Sequence, residues 1–346
     1  MLSVAARALS GSKCSRRSQT AQAAIVRWHH SKYETSQLGG PTGTAKHRMY
    51  FNHLGSPISP WHDIPLVADS SAGLYNMVCE IPRWSNAKLE IDTKAPFNPI
   101  KQDVKKGRPR FVANVFPYKG YIWNYGALPQ TFEDPGHRDA DTGCIGDSDP
   151  LDVIEVGQEV CAQGSVHRVK VLGLVALIDG GETDWKIFAL RADDPLAQKV
   201  ADIGDLQTHM PGLVEATVDW FTKYKVPDGK PLNKWAFDGK PRDAAYAHTV
   251  IASTHEAWKR LVRSAVGSAS SGGFGLTNVS VESSPHYLVP SDASDAFKAL
   301  TDRSPGQMCP DPPAQDEADP AADIVPRAAP AKWYFVDGSG GGSITN

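Results

Sequence analysis

The stretch Gly146-Asp147-Ser148-Asp149-Pro150-Leu151-Asp152-Val153-Ile154-Glu155 decides how the chain is read. Asp147, Asp149 and Asp152 fall within six residues, and their carboxylates repel one another unless cations lie between them. Pro150 restricts Asp149 to an extended conformation, so Asp147 and Asp149, two apart, point the same way. Beyond the proline, Asp152, Ile154 and Val156 alternate with Val153, Glu155 and Gly157, which predicts a strand headed by Asp152. An all-oxygen cluster at the head of an apolar strand face suits a hard cation, Mg2+ or Mn2+, better than zinc. An acidic loop is more often a solvated turn, and an EF-hand is the sharper rival. The EF-hand fails on spacing, because its sixth position lacks glycine and its twelfth is Gln158.

Working outward, five further stretches carry chemistry in the same order along the chain. They are Glu80-Ile81-Pro82-Arg83-Trp84, Ala87-Lys88-Leu89-Glu90-Ile91, Asn124-Tyr125-Gly126-Ala127-Leu128-Pro129-Gln130-Thr131, Gly181-Glu182-Thr183-Asp184-Trp185-Lys186 and Tyr224-Lys225-Val226-Pro227-Asp228-Gly229-Lys230-Pro231. Alternation puts Lys88 and Glu90 on one strand face. The apolar run from Val169 to Ile178 predicts a buried strand ending at Asp179, so Asp179 and Asp184 flank a turn at a strand end. Arg110 opens an alternating stretch after the basic turn from Lys105 to Arg108, which reads as a solvated hairpin. Tyr121, Trp123 and Tyr125 make a stripe of the kind that more often packs in a core than does chemistry.

Together with the aspartate run, these stretches resemble the soluble inorganic pyrophosphatases built on a small β-barrel, in their eukaryotic branch, over roughly residues 45–265. The resemblance implies an α+β fold: a small closed, antiparallel-type, OB-like β-barrel with two packing α-helices and extended N- and C-terminal arms. It implies hydrolysis of inorganic pyrophosphate by direct in-line attack of water, with several Mg2+ ions per site and Mn2+ as a substitute. Asp147, Asp152 and Asp184 match the ligands of the tightest metal, Asp152 being shared with a second. Asp179 and Asp184 match a third, Glu90 helps to place a fourth, and Glu80 joins the metal-site carboxylates. Asp149 matches the general base. Lys88, Arg110, Lys186, Tyr224 and Lys225 match the phosphate ligands, and Tyr121 and Tyr125 match tyrosines that line the site. Tyr121, Lys225 or a metal-bound water is left as the proton donor to the leaving phosphate. Relatives of this branch are commonly homodimers, which makes a homodimer the expectation here.

Composition bounds the rest. The chain has 346 residues, 41% hydrophobic content and a formal net charge of −3, which speaks against a nucleic-acid binder. No apolar run approaches a membrane span. Five cysteines, Cys14, Cys79, Cys144, Cys161 and Cys309, contain no C-x-x-C pair and fit free thiols in a reducing compartment. Residues 1–33 carry Arg7, Lys13, Arg16, Arg17, Arg27 and Lys32, with no acid before Glu34. That Arg- and Ser-rich composition predicts a mitochondrial transit peptide and a matrix enzyme, the alternative being a basic tail on a cytoplasmic one. Removing the leader would take the charge to about −9.

The catalytic domain is expected over 34–265, with one helix opened by Pro211 and bearing Leu213, Thr217, Trp220, Phe221 and Tyr224. A second is expected over about 243–263. Residues 266–346, rich in Ser, Gly, Ala, Pro and Asp, read as an extended tail with a docking segment at 332–338 around Trp333-Tyr334-Phe335-Val336. His47, His53 and His62 lack ligand spacing and read as packing or surface residues. Asn278-Val279-Ser280 is a formal glycosylation sequon. A different metal-dependent phosphohydrolase, acting on nucleotides or longer polyphosphates, is the first rival function. No P-loop and no base-stacking element accompany the aspartates. A non-catalytic scaffold is the second, and would be credible had one of the matched carboxylates been replaced.

Overall fold

The computed structural model describes residues 32–264, 273–302, 332–336 and 344–345. The expected leader lies outside these residues except for its last two, of which Tyr33 already begins the strand Tyr33–Leu38.

Five strands close on themselves. Glu182–Arg191 pairs with Asp152–Glu155, then follow Asn124–Ala127, Leu74–Ile81 and Val166–Asp179, and the last pairs back onto Glu182–Arg191. This is the expected small barrel, and closure removes the free edges an open sheet would leave. Four of the seams are antiparallel; the one between Asp152–Glu155 and Glu182–Arg191 is parallel. The chain crosses over through the Val166–Asp179 strand before it returns, and so re-enters in the same direction.

Neighbouring residues on these strands divide between two buried clusters: Met77 and Val78, Val153 and Ile154, Leu174 and Val175, Ile187 and Phe188. Both faces are therefore dry, which is why Val169 to Ile178 reads as a nearly unbroken apolar run. Gly126 sits where the register shifts against Leu74–Ile81. A Cβ there would run into the Val78 carbonyl, so only glycine lets the two backbones approach.

Helix α1, Ile203–His209, was not anticipated, and it is closed at its start by a capping box between Asp202 and Asp205. Helix α2, Leu213–Lys223, begins after Gly212 in the left-handed region (φ 83°) and buries Val214, Thr217, Trp220 and Phe221. Trp123 stacks on Phe221 at 5.1 Å and donates from its indole to Thr217 at 2.9 Å, which places it in packing and away from chemistry. Helix α3, Ala244–Val262, is capped by Asp243 and lays Ala247, Val250 and Ile251 on the second cluster.

The segment expected to be an extended tail departs from that expectation at Pro290–Thr301, which forms a helix, α4. Proline in its first turn starts it, and Ala293, Phe297 and Leu300 pack against Tyr50 and Phe97. Asn278 is fully buried and donates to the Leu276 carbonyl at 3.0 Å, so the sequon is closed to glycan transfer in the folded chain. His62 is buried too, between Trp258 and the Gly275 carbonyl. Trp333–Val336 pairs in parallel with Asn114–Val115. Among the described residues no helix is long and apolar enough to cross a membrane.

Candidate active site

One cavity of about 190 Å³ opens at the mouth of the barrel. Every site residue proposed from the sequence lines it: Glu80, Lys88, Glu90, Arg110, Tyr121, Tyr125, Asp147, Asp149, Asp152, Asp179, Asp184, Lys186, Tyr224 and Lys225. They come from strands, from the turns that join them and from the C-terminal end of α2. Asp152 heads its strand, while Asp179 and Asp184 flank the Gly180-Gly181 turn of the long hairpin. Tyr224 caps α2 and stacks on Trp220 at 4.8 Å, a contact that orients it towards the cavity.

The aspartate run is held by backbone. Glu133 N–H donates to the Asp149 carbonyl at 2.9 Å, and Ser148 N–H donates to the Glu133 carbonyl at 2.9 Å. Ser148 takes φ 76°, a left-handed conformation that costs a non-glycine residue about 1 kcal/mol. With Asp149 N–H on Asp147 Oδ1 at 3.0 Å, the turn sets the first two carboxyls at the cavity.

Acids and cations interleave. Lys186 is buried and donates to Tyr125 Oη at 2.9 Å, to Asp184 Oδ1 at 2.5 Å and to Asp152. Burial alone would lower its pKa, but Asp152 and Asp184 outweigh that and hold the ammonium well above its ordinary range. Lys225 pairs with Asp179, and Lys88 pairs with Glu90. Tyr121 is buried, 5.3 Å ring to ring from Tyr125, and burial raises its phenol despite Lys88 and Arg110.

Even so, negative charge is in excess at the aspartates. Desolvation, then Asp184 and Asp149, push the Asp147 carboxyl well up. Desolvation raises Asp184 to about 7 with Asp152 adding to it, against the pull of Lys186. Asp149 is exposed at the rim, yet crowding of the protein around its carboxyl, and then Glu90, bring it to about 7.

Two residues of the site were missed in the sequence. Glu133 is buried, its Oε1 takes the Trp185 N–H at 3.0 Å, and its Oε2 has no partner. Ligand oxygens of Glu133, Asp147 and Asp184 lie within 4.8 Å of one another. An orphaned buried oxygen among like charges is what a divalent cation would satisfy, so the donor set fits a hard metal. Glu133 opens an acidic, turn-rich loop, and only its backbone bonds to the aspartate run place it. Asp103 is the second. Its carboxylate holds Lys88 at 2.9 Å and Arg110 at 2.6 Å, fixing the spacing of two cations across the cavity. Replacing Asp103 by asparagine is expected to raise the substrate KM several-fold with a smaller change in kcat, read from steady-state phosphate release.

A larger cavity, about 300 Å³, lies between α3 and residues 132–146. Arg260 is its one guanidinium and it has no lysine, so size does not pick out the reactive site.

A closed barrel whose mouth gathers carboxylates for hard cations, rimmed by Lys, Arg and Tyr, defines a metal-dependent enzyme of phosphoryl transfer to water. The profile of the inorganic pyrophosphatase family matches residues 77–259. The inorganic pyrophosphatase of Drosophila melanogaster is 54% identical over 270 residues, 78% of this chain and 79% of its own. That of Mus musculus is 51% identical over 292 residues, 84% of this chain and 94% of its own. Among solved structures, the inorganic pyrophosphatase of Schistosoma japonicum has 50% identity and a TM-score of 0.67, covering 69% of this chain and 84% of that one. A truncated vacuolar soluble pyrophosphatase of Trypanosoma cruzi, solved in complex with PPi, has 38% identity and a TM-score of 0.62, covering 72% of this chain and 99% of that one. The chain belongs to the inorganic pyrophosphatase family.

Proposed function

We propose that the enzyme hydrolyses inorganic pyrophosphate to two phosphates, with Mg2+ as its working cation. The observation that carries this reading is the single small cavity in which carboxylates for several divalent ions face Lys88, Arg110, Tyr224 and Lys225. Such a mixture repels a bare polyanion and accepts one that arrives with cations. When bound, the metals supply Lewis-acid activation and charge neutralisation. Asp147, Asp152 and Asp184 would hold the tightest ion with Glu133 behind them, Asp179 a further one, and Glu90 and Glu80 the opposite wall.

The chain's own steps follow from position. Asp149, at the rim of the cavity and with its carboxyl near 7 despite the pull of Lys88, takes the proton of the attacking water. Lys88 and Arg110 grip one phosphate, Arg110 with two N–H groups at once. Tyr224 and Lys225 hold the other, where charge grows as the bridging bond breaks. Lys186 keeps Asp152, Asp184 and Tyr125 in fixed relation. Tyr121, Lys225 or a metal-bound water would protonate the leaving phosphate.

The test is phosphate release from pyrophosphate with Mg2+, then with excess EDTA. Fast release that chelation abolishes and Mg2+ restores is expected; release that survives EDTA overturns the reading. ATP and tripolyphosphate, assayed alongside, decide against the rival phosphohydrolases if they turn over at least 100-fold more slowly, the scale of a lost set of phosphate contacts.

Two further proposals concern location and assembly. A matrix location is supported by the composition of residues 1–33, and import by isolated mitochondria tests it. A homodimer is supported by the exposed rings of Phe116, Trp333 and Phe335, which contact one another at 5.8 and 5.3 Å. Sedimentation should give a dimer that Phe116→Ser with Trp333→Ser converts to a monomer.

A further inference from the structure

Cys79 and Cys161, distant in sequence, lie together, each thiol close enough to act on the other. The backbone fixes this. Cys79 N–H donates to the Ser165 carbonyl at 2.9 Å, and Gly164 N–H donates to the Cys79 carbonyl at 2.7 Å. A turn closed by Ser165 N–H on the Ala162 carbonyl at 3.1 Å brings Cys161 onto the Leu74–Ile81 strand. From the other side, Cys161 N–H donates to Asn124 Oδ1 at 2.9 Å, and the Asn124 amide is held by Glu155 Oε2 at 2.7 Å. Both cysteines are buried, but Cys161 lies just beneath the surface, between exposed Val160 and Ala162.

A buried cysteine is usually an inert apolar residue. This one has partners that favour the thiolate. His167, whose Nε2 is 2.7 Å from Ser165 Oγ, and Arg191 both stand close enough to act on the Cys161 sulfur. The neighbouring Cys79 thiol, joined by His167 against the desolvation of the site, draws the Cys161 thiol down to about 5.

We propose that Cys79 and Cys161 are a reversible thiol–disulfide site placed directly behind the catalytic cavity. The oxidant is a small-molecule disulfide that enters when the surface turn 157–165 opens. The Cys161 thiolate attacks one of its sulfurs, the S–S bond breaks, and one thiol leaves with a proton from solvent. Cys79, giving up its own proton, then attacks Cys161 Sγ and expels the second thiol. Two cysteine thiols are oxidised and one disulfide is reduced to two thiols.

The consequence reaches the active site through the strand. Cys79 precedes Glu80, whose Oε1 accepts the Ile91 N–H at 2.6 Å beside Glu90. On the other edge the Val78 and Cys79 backbone lies against Gly126, next to Tyr125. Drawing the Cys79 sulfur towards Cys161 displaces both walls of the cavity.

The experiment uses the full chain carrying Cys144→Ser, which removes the most accessible thiol among the described residues. It is treated with millimolar oxidised glutathione and mapped by peptide mass spectrometry without reduction. A Cys79–Cys161 cross-link is expected, with a several-fold loss of pyrophosphate hydrolysis that dithiothreitol restores. Cys161→Ser and, separately, Cys79→Ala should form no cross-link and keep their rate, so misfolding of one variant leaves the other informative. The proposal is overturned by glutathione adducts confined to Cys14 or Cys309 with both buried thiols intact. It is equally overturned by a cross-link without loss of rate, or by equal loss in Cys161→Ser. The cross-link is read by mass, so its failure is separate from any failure of the pyrophosphate reading.

Discussion

Asp149→Asn is expected to lower kcat by about 10²–10⁴-fold while leaving metal affinity within a factor of about three, because it removes a proton acceptor and no cation ligand. Asparagine keeps the shape of the side chain and the Asp149 N–H bond to Asp147 Oδ1, so the turn survives. The pH profile gives a second readout. A carboxyl raised to about 7 is protonated, and useless as a base, below that pH. Activity therefore rises with pH through an acid limb, which bound cations move below about 7 because they favour the carboxylate. The Asn variant should lose that limb. Stopped-time phosphate assays from pH 5 to 9 and calorimetric Mg2+ titration check both halves; an unchanged limb would assign the base elsewhere.

Asp152→Ala should lose turnover and metal binding together. Asp152 stands at the head of its strand, bonded to Lys186, and faces both the Asp147–Asp184 side and the Glu80 side of the cavity. Its loss is expected to weaken the tightest Mg2+ site by at least about 10–100-fold, the scale seen when even an outer partner of a ligand is removed. At saturating Mg2+ the rate should remain at least about 100-fold down. Equal metal affinity in Asp149→Asn and Asp152→Ala would overturn the division of labour between them. Linkage supplies an independent check on the metal-free protein. Asp184 has a folded pKa of about 7, above the ordinary 3.8, so the native state holds the extra proton between those values. Its contribution to stability is greatest at low pH and falls as pH rises through that window. Mg2+ should restore the difference in thermal denaturation.

The barrel was legible through the family resemblance that its short stretches carry; alternation and apolar runs predicted single strands and not their closure. The long hairpin, for instance, announces its first strand by a run from Val169 to Ile178 that ends at Asp179. The cavity was legible because its members sit in short recurring stretches. What escaped depends on register. Asp103 meets Lys88 and Arg110 only once Ile100–Gln102 has paired with Leu89–Ile91, and nothing local to Asp103 says so. Glu133 looked like one more acid in a turn-rich loop; its burial follows from the long-range bonds to Ser148 and Asp149. Helix α4 was hidden by flanks of Ser, Asp and Pro, although Ala293, Phe297 and Leu300 already have helical spacing.

Closure of the barrel also sets when the site comes into being. The cavity draws on residues from Glu80 to Lys225, and the ring is sealed only when the hairpin of Val166–Asp179 and Glu182–Arg191 has found both Leu74–Ile81 and Asp152–Glu155. Pairings so far apart in sequence form slowly during folding, after the local hairpin and α2. Until they do, the acids are dispersed along an open chain and feel little mutual repulsion. The electrostatic cost of crowding them is met at the last stage of assembly, and a divalent ion that binds only the finished mouth shifts the equilibrium there. For this enzyme, the cation that serves the reaction is also a ligand of the folded state.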